Sequence, residues 1–181
     1  LAVGEGRACY IPLGHREPGG DLFGGGAPLP GQLPERTVLE ALAQTCGRFG
    51  VRIVGHAIKA SVLALLQRGV ALPAVDDVQL VSYVLDAGLT THDLATLAER
   101  HLSRAPAALA GIAGTGRAAI PFDRLTPEIA APWAAEQADV ILRLWRALTP
   151  RLAAERMTAV YETLERGMVP VLARVERRGI A

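Results

Sequence analysis

Apolar residues recur at helical spacing over most of the chain, while strand-like runs are confined to its first half. Val38, Leu39, Leu42, Ala43 and Cys46 form a stripe behind Pro34-Glu35-Arg36. A proline and an acid suit the unpaired amides of a first helical turn, so a helix is predicted there, ending between Gly47 and Gly50. Val51 to Val54 is a short apolar run closed by Gly55 and reads as a strand. Lys59 to Arg68 carries Val62, Leu63, Leu65 and Leu66 on a helix that stops at Gly69. Ala74 to Val78 predicts a second short strand, Gln79 to Leu85 a helix, and Asp93 to Leu102 another. Ahead of these, Leu1–Val3 and Ala8–Leu13 flank Gly4-Glu5-Gly6-Arg7 and predict a hairpin with a glycine turn.

The second half reads as helices. Thr126-Pro127-Glu128 offers a cap, a first-position proline and an acid just inside the helix. Pro132 predicts that a short helix breaks there and that a longer one runs to Leu148, with Ala134, Ala138, Ile141, Trp145 and Leu148 on one face. Arg151 to Arg166 predicts a further helix lined by Met157, Val160, Tyr161 and Leu164. The stripe continues through Met168, Val171, Leu172 and Val175, with a kink expected at Pro170. Trp145 and Tyr161 read as core packing rather than base-stacking platforms. Glycine and proline mark His15 to Pro34 as a loop, and Ala105 to Pro121, rich in Ala and Gly, as irregular. Gly24-Gly25-Gly26 is not followed by Gly-Lys-Ser/Thr at a helix start, which excludes a phosphate loop. The order of elements predicts an α/β first part and a helical C-terminal part.

Composition narrows the class. Among 181 residues half are apolar and 20% charged, which is globular rather than disordered. The net charge of +1 does not announce nucleic-acid binding. Between Arg143 and Arg178, however, eight Arg face four Glu. That stretch is either a solvated helix surface, which charge alone favours, or a face for phosphates. Cys9 and Cys46 are too few for a disulfide framework or a four-ligand zinc site, and a reducing cytoplasm fits them. No apolar run has membrane-spanning length.

Seven segments resemble, in order, the 3′–5′ exonuclease domain of the bacterial DNA polymerase I family (family A). Ala8 to His15 is similar to that domain's second-to-third strand hairpin. Val54-Gly55-His56-Ala57-Ile58-Lys59 is similar to a segment usually reading Gly-Gln-Asn-Leu-Lys-Tyr-Asp. Asp77 with Ser82-Tyr83-Val84-Leu85, His92-Asp93-Leu94 with Leu97-Ala98-Glu99-Arg100, Ile112 to Arg117, Trp133 to Asp139, and Met168 to Arg177 complete the series. The resemblance implies a ribonuclease H-like fold, a mixed five-stranded sheet flanked by helices. It divides the chain into an exonuclease-like domain at 1–149 and a helical connection to the polymerase thumb at 150–181.

It also implies a chemistry that this chain departs from. The family hydrolyses 3′-terminal phosphodiesters with two divalent metals held by four acids, because hard cations such as Mg²⁺ or Mn²⁺ take carboxylate oxygen. Two of the acids belong to an Asp-X-Glu strand expected upstream of Leu1, without which the sheet should carry open edges and a central gap. The third acid corresponds to Ser61 and the fourth to Gln137. The tyrosine that orients the attacking water corresponds to Trp133, whose indole offers only an N–H. Ala57 stands for an Asn, and Thr91 for an Arg that touches the DNA backbone. Glu136 and Asp139 flank Gln137 but should point elsewhere on the helix. Asp77 reads as a cap or turn acid. The expectation is thus a non-catalytic scaffold within a replication and repair polymerase, with Ser61, Trp133 and Gln137 as vestigial positions and no metal. The alternatives are an active, Mg²⁺- or Mn²⁺-dependent exonuclease with altered ligands and a single-strand-binding module. Candidate nucleic-acid contacts are His56, Lys59, His92 and Arg117. The expected partners are DNA and the polymerase domain of the same chain, in a cytoplasmic monomer without membrane contact.

Overall fold

The structure, a computed structural model, describes residues 1–17, 26–73 and 75–179. In chain order its elements are β1 (Ala2–Gly4), β2 (Arg7–Ala8), α1 (Glu35–Cys46), β3 (Ile53–Gly55), α2 (Lys59–Gln67), β4 (Val75–Asp77), α3 (Val78–Asp86), α4 (Leu94–Leu102), α5 (Ala110–Ala113), α6 (Pro127–Ala154), α7 (Thr158–Val160) and α8 (Arg166–Arg177). Tight 3₁₀ turns lie at Gly116–Ala118 and Phe122–Arg124, and a π turn at Tyr161–Glu165. The chain forms two units, Leu1–Val38 with Pro106–Asp139 and Leu39–Ala105 with Val140–Ala181.

In the first unit β1 and β2 pair antiparallel around a turn in which Gly6 has φ 68, a conformation glycine adopts without penalty. Ala113, Leu125 and Ala130 form its core, with Tyr10, Ile112 and Phe122 packed against them. His15 is buried beside this core. Its Nδ1 donates to the Leu125 carbonyl at 2.8 Å, and the Tyr10 hydroxyl bonds its other ring nitrogen.

In the second unit β3 and β4 pair in parallel, Ile53 opposite Val75 and Gly55 opposite Asp77, with α2 as the crossover that parallel strands require. One cluster joins α3, α4 and the second half of α6 through Val78, Val81, Leu97, Val140, Leu144 and Leu148. The other sets α8 on α2, with Val169 and Ala173 against Ile58, Val62 and Val75.

Most strands and helices expected from the pattern are present, with corrections. The expected Ala8–Leu13 strand is reduced to Ala8, which ends β2. Among the described residues the strands form two separate two-stranded ladders, not a mixed five-stranded sheet, because no strand hydrogen-bonds their remaining edges. Part of the His15–Pro34 loop, including Gly24 and Gly25, and the first residue of the Ala74–Val78 strand lie outside the described residues. The Ala105–Pro121 stretch is not wholly irregular but holds α5 and a 3₁₀ turn. The helix expected to break at Pro132 and end at Leu148 instead runs for 28 residues through both Pro132 and Pro150. Each interior proline costs about 3 kcal/mol. Val140, Leu144, Leu148 and Leu152, all but fully buried on the same helix, each return about 1.5–3 kcal/mol, so continuity wins.

The predicted Arg151–Arg166 helix is cut at Arg156, whose φ of 60 ends α6. The Met157 amide reaches the Leu152 carbonyl at 2.7 Å and the Arg156 amide the Ala153 carbonyl at 3.2 Å, the bond pair of a Schellman ending. α8 continues through Pro170, and a π turn at Tyr161–Glu165 leads into it.

Candidate functional site

Of the residues singled out in the sequence, Trp133 and Gln137 meet in the first unit. Thr126-Pro127 starts α6, and residues 133, 136 and 137, spaced one turn apart, face the loop that holds Ala107. Trp133 Nε1 donates to the Ala107 carbonyl at 2.8 Å, and Gln137 Nε2 donates to the same oxygen at 3.1 Å. The Ala107 amide donates to Glu136 Oε2 at 3.0 Å. Three side chains therefore grip both polar groups of one peptide residue. Asp139, 9% exposed, accepts the Gly6 amide at 2.7 Å and ties the hairpin turn to α6. The two acids that flank Gln137 are both engaged with backbone. Arg117 stands exposed on the 3₁₀ turn of this unit.

The second unit brings His56 and His92 together. His56 Nε2 donates to the His92 carbonyl at 2.8 Å, and His92 Nδ1 is hydrogen-bonded to the buried Ser82 hydroxyl at 2.9 Å. Both histidines thus organise loops. Thr91 donates to Asp93 at 2.6 Å, and Asp93 caps α4 through the Thr96 amide. The hydroxyl of Thr91, followed by the amide and hydroxyl of Thr96, holds the Asp93 carboxyl well below the usual carboxylate range. Ser61 is exposed in the first turn of α2, and the ammonium of Lys59 pairs with Glu176 of α8.

Asp77 is the cap that its sequence context predicts. It accepts the Gln79 amide of α3 at 2.9 Å and also the amides of Ala57 and Ile58 at 3.0 and 2.9 Å. Ala57 itself has φ 49, left-handed backbone that an Asn tolerates better than an Ala. Sequence reasoning missed the group next to it. Asp76, 1% exposed, accepts Arg52 at 2.9 Å and the Tyr161 hydroxyl at 3.0 Å, with Arg166 at 3.6 Å. The Asp77 amide donates back to that hydroxyl at 3.1 Å, and burial pushes the Tyr161 phenol up. The adjacent Asp76-Asp77 pair at a strand end was the available signal, but its partners lie up to 90 residues away in the chain.

A family model described as the 3′–5′ exonuclease of the family A DNA polymerases matches residues 6–153. The chain belongs to this exonuclease family. It is 44% identical over 174 residues to DNA polymerase I of Rhizobium leguminosarum, covering 96% of this chain and 17% of that protein. It is 40% identical over 183 residues to DNA polymerase I of Pseudomonas aeruginosa, covering 99% of this chain and 19% of that protein. The chain spans under a fifth of the length of these curated relatives. No helix among the described residues is long and apolar enough to cross a membrane.

Exonuclease domains of this kind generally use divalent metals. Ser61 and Gln137, which the resemblance sets at ligand positions, are poor donors for such ions. Ser61 offers a neutral hydroxyl, and Gln137 offers an amide whose nitrogen is already committed to Ala107, where Mg²⁺ takes carboxylate oxygen. Among the described residues no group of three or more His, Cys, Asp or Glu is placed to hold a metal ion. What the arrangement at residues 133–137 does in this structure is bind backbone.

Proposed function

We propose that this exonuclease-family domain is non-catalytic and serves as a structural scaffold within a replication and repair polymerase of the DNA polymerase I type. The observation that carries the reading is the grip on Ala107. The indole and amide at the positions of the family's water-orienting tyrosine and last metal-binding acid both point their donors at one carbonyl. Donors directed at a carbonyl stabilise a loop, and they repel a cation. Residues 1–149 would form the exonuclease-like part and 150–181 the helical connection to the polymerase, a division that the extent of the family match at 6–153 supports. DNA would be met through the polymerase part, in a monomer, with His56, Lys59, His92 and Arg117 as at most auxiliary contacts.

The test is degradation of 3′-labelled single-stranded DNA by the intact parent polymerase, its polymerase active site disabled, with Mg²⁺ and then Mn²⁺. The expected result is no 3′ shortening with either ion. Metal-dependent shortening that disappears on Glu136→Gln or Asp139→Asn would overturn the reading and establish a rebuilt metal site.

A further inference from the structure

Two arginines of the second unit converge on one buried acid. Arg52, just ahead of β3, lies 2.9 Å from Asp76 Oδ2, and Arg166, at the start of α8, lies 3.6 Å from Oδ1. Asp76 is 1% exposed and also accepts the Tyr161 hydroxyl. A single carboxylate cannot neutralise two guanidiniums, and both keep an open side, Arg52 being 49% and Arg166 30% exposed. The contacts of Arg166 to Asp76 and Glu162, both 3.6 Å, are too long for hydrogen bonds, so its N–H donors are left for a ligand. A third arginine stands four residues before Arg52. The Val51 amide donates to the Arg48 carbonyl at 3.2 Å and closes a turn. Gly50, the third residue of that turn, has φ 82, which glycine adopts without strain. The turn holds the Phe49 ring wholly in solvent, between Arg48 and Arg52 in the chain. A single exposed apolar side chain is ordinary on a protein surface. An aromatic tip set among arginines is the pairing by which proteins hold unpaired nucleotides.

We propose that Arg48, Phe49, Arg52 and Arg166 form a binding site for single-stranded nucleic acid, in which the guanidiniums take backbone phosphates and the Phe49 ring stacks on a base. The planar fork of a guanidinium matches phosphate oxygens. Asp76 already fixes Arg52 and draws in Arg166, so less side-chain freedom is lost when a phosphate arrives. Glu162, beside Arg166, opposes an anion there. Three arginines against Glu162 and Asp76 leave the balance positive. The ring sets the kind of strand. Duplex DNA offers the same phosphates but keeps its bases stacked on one another, whereas a single strand has base faces to give. None of the four residues stands at a position that the resemblance assigns to metal ligands, so the site does not depend on whether the domain is catalytic.

The experiment uses the intact parent polypeptide and a short single-stranded oligonucleotide carrying one iodouracil, a base that crosslinks under light to an aromatic ring stacked on it. Crosslinked peptides are located by mass spectrometry, and the yield at each is followed against oligonucleotide concentration and salt. The expected result is a crosslink at Phe49. Its half-saturating concentration should rise in Arg48→Gln and, separately, in Arg166→Gln. The slope of log affinity against log salt at this site should become shallower by about 0.7 for each arginine removed, the counterion release of one single-strand phosphate contact. Arg48 lies on an exposed turn, so a loss in Arg48→Gln does not come from unfolding. Crosslinks within the polymerase part serve as the internal standard. No crosslink at Phe49 at about 50 mM salt, where phosphate contacts are strong, would overturn the proposal. A crosslink indifferent to salt and to both substitutions would remove the phosphate clamp. Unlabelled duplex competing as well as unlabelled single strand would remove the stacking role of Phe49 and with it the preference for single strands.

Discussion

At the level of single residues, the departures from the family pattern carry physical consequences that can be measured. Gln137 holds Ala107 through its amide nitrogen. Gln137→Asp, which on the scaffold reading puts back an acid, would set a carboxylate against that carbonyl. We expect it to destabilise the domain by about 1–3 kcal/mol, the usual cost of an unsatisfied or repelled polar group, without creating exonuclease activity. Urea unfolding of the variant together with the 3′-end assay checks both halves. Ala57 sits in left-handed backbone at φ 49. Ala57→Gly should raise stability by roughly 0.5–1 kcal/mol, since the strain it relieves exceeds the flexibility it adds to the unfolded chain. An unchanged or lowered urea midpoint would contradict this. The identities at 57, 61, 133 and 137 were legible in the sequence as departures from a pattern. What Trp133 and Gln137 hold was not, because the target at Ala107 is a backbone group and backbone leaves no side-chain signature.

Among elements, joints matter more than lengths. Asp77 ends β4, caps α3 and accepts the two amides of the turn after β3, so one carboxylate fixes three segments. Asp77→Ala should lower stability by about 2–4 kcal/mol, more than the ~1 kcal/mol of an ordinary cap, because one buried and two partly buried amides lose their acceptor together. A loss near 1 kcal/mol in chemical denaturation would show that water replaces the carboxylate. The boundaries of α6 were misread from sequence for a related reason. Local proline chemistry argues for a break at 132, and burial of Val140, Leu144, Leu148 and Leu152 outweighs it. Cap residues and apolar stripes are local and were readable. The relative weight of a proline and a core is not local.

For the molecule as a whole, acid should weaken the fold in two steps. His101 is partly buried, and among the described residues its Nε2 has no hydrogen-bond partner. Burial, then the charges of Arg151 and Arg100, lower its pKa against the weaker opposing pull of Asp86. The unfolded chain therefore takes up a proton as pH falls through about 6.5 while the folded chain does not, so stability present above that pH declines below it. Asp86, 4% exposed, is held below its ordinary value first by the hydrogen bonds of Arg151, at 3.1 Å to each oxygen. Its contribution is complete above the unfolded value near 4 and is lost as pH falls through the lower folded one. Unfolding free energies between pH 8 and 3 should show both slopes. His101→Leu should flatten the upper slope, and Asp86→Asn the lower.

The sequence by itself determined the family and the α/β-then-helical order, since both depend on which residue types stand at which spacing. Only the tertiary structure decided the rest. It turned Trp133, Glu136 and Gln137 onto Ala107 and joined Asp76 to Tyr161 across 85 residues. Those outcomes depend on distances between positions far apart in the chain, and a local pattern of residues does not encode such distances.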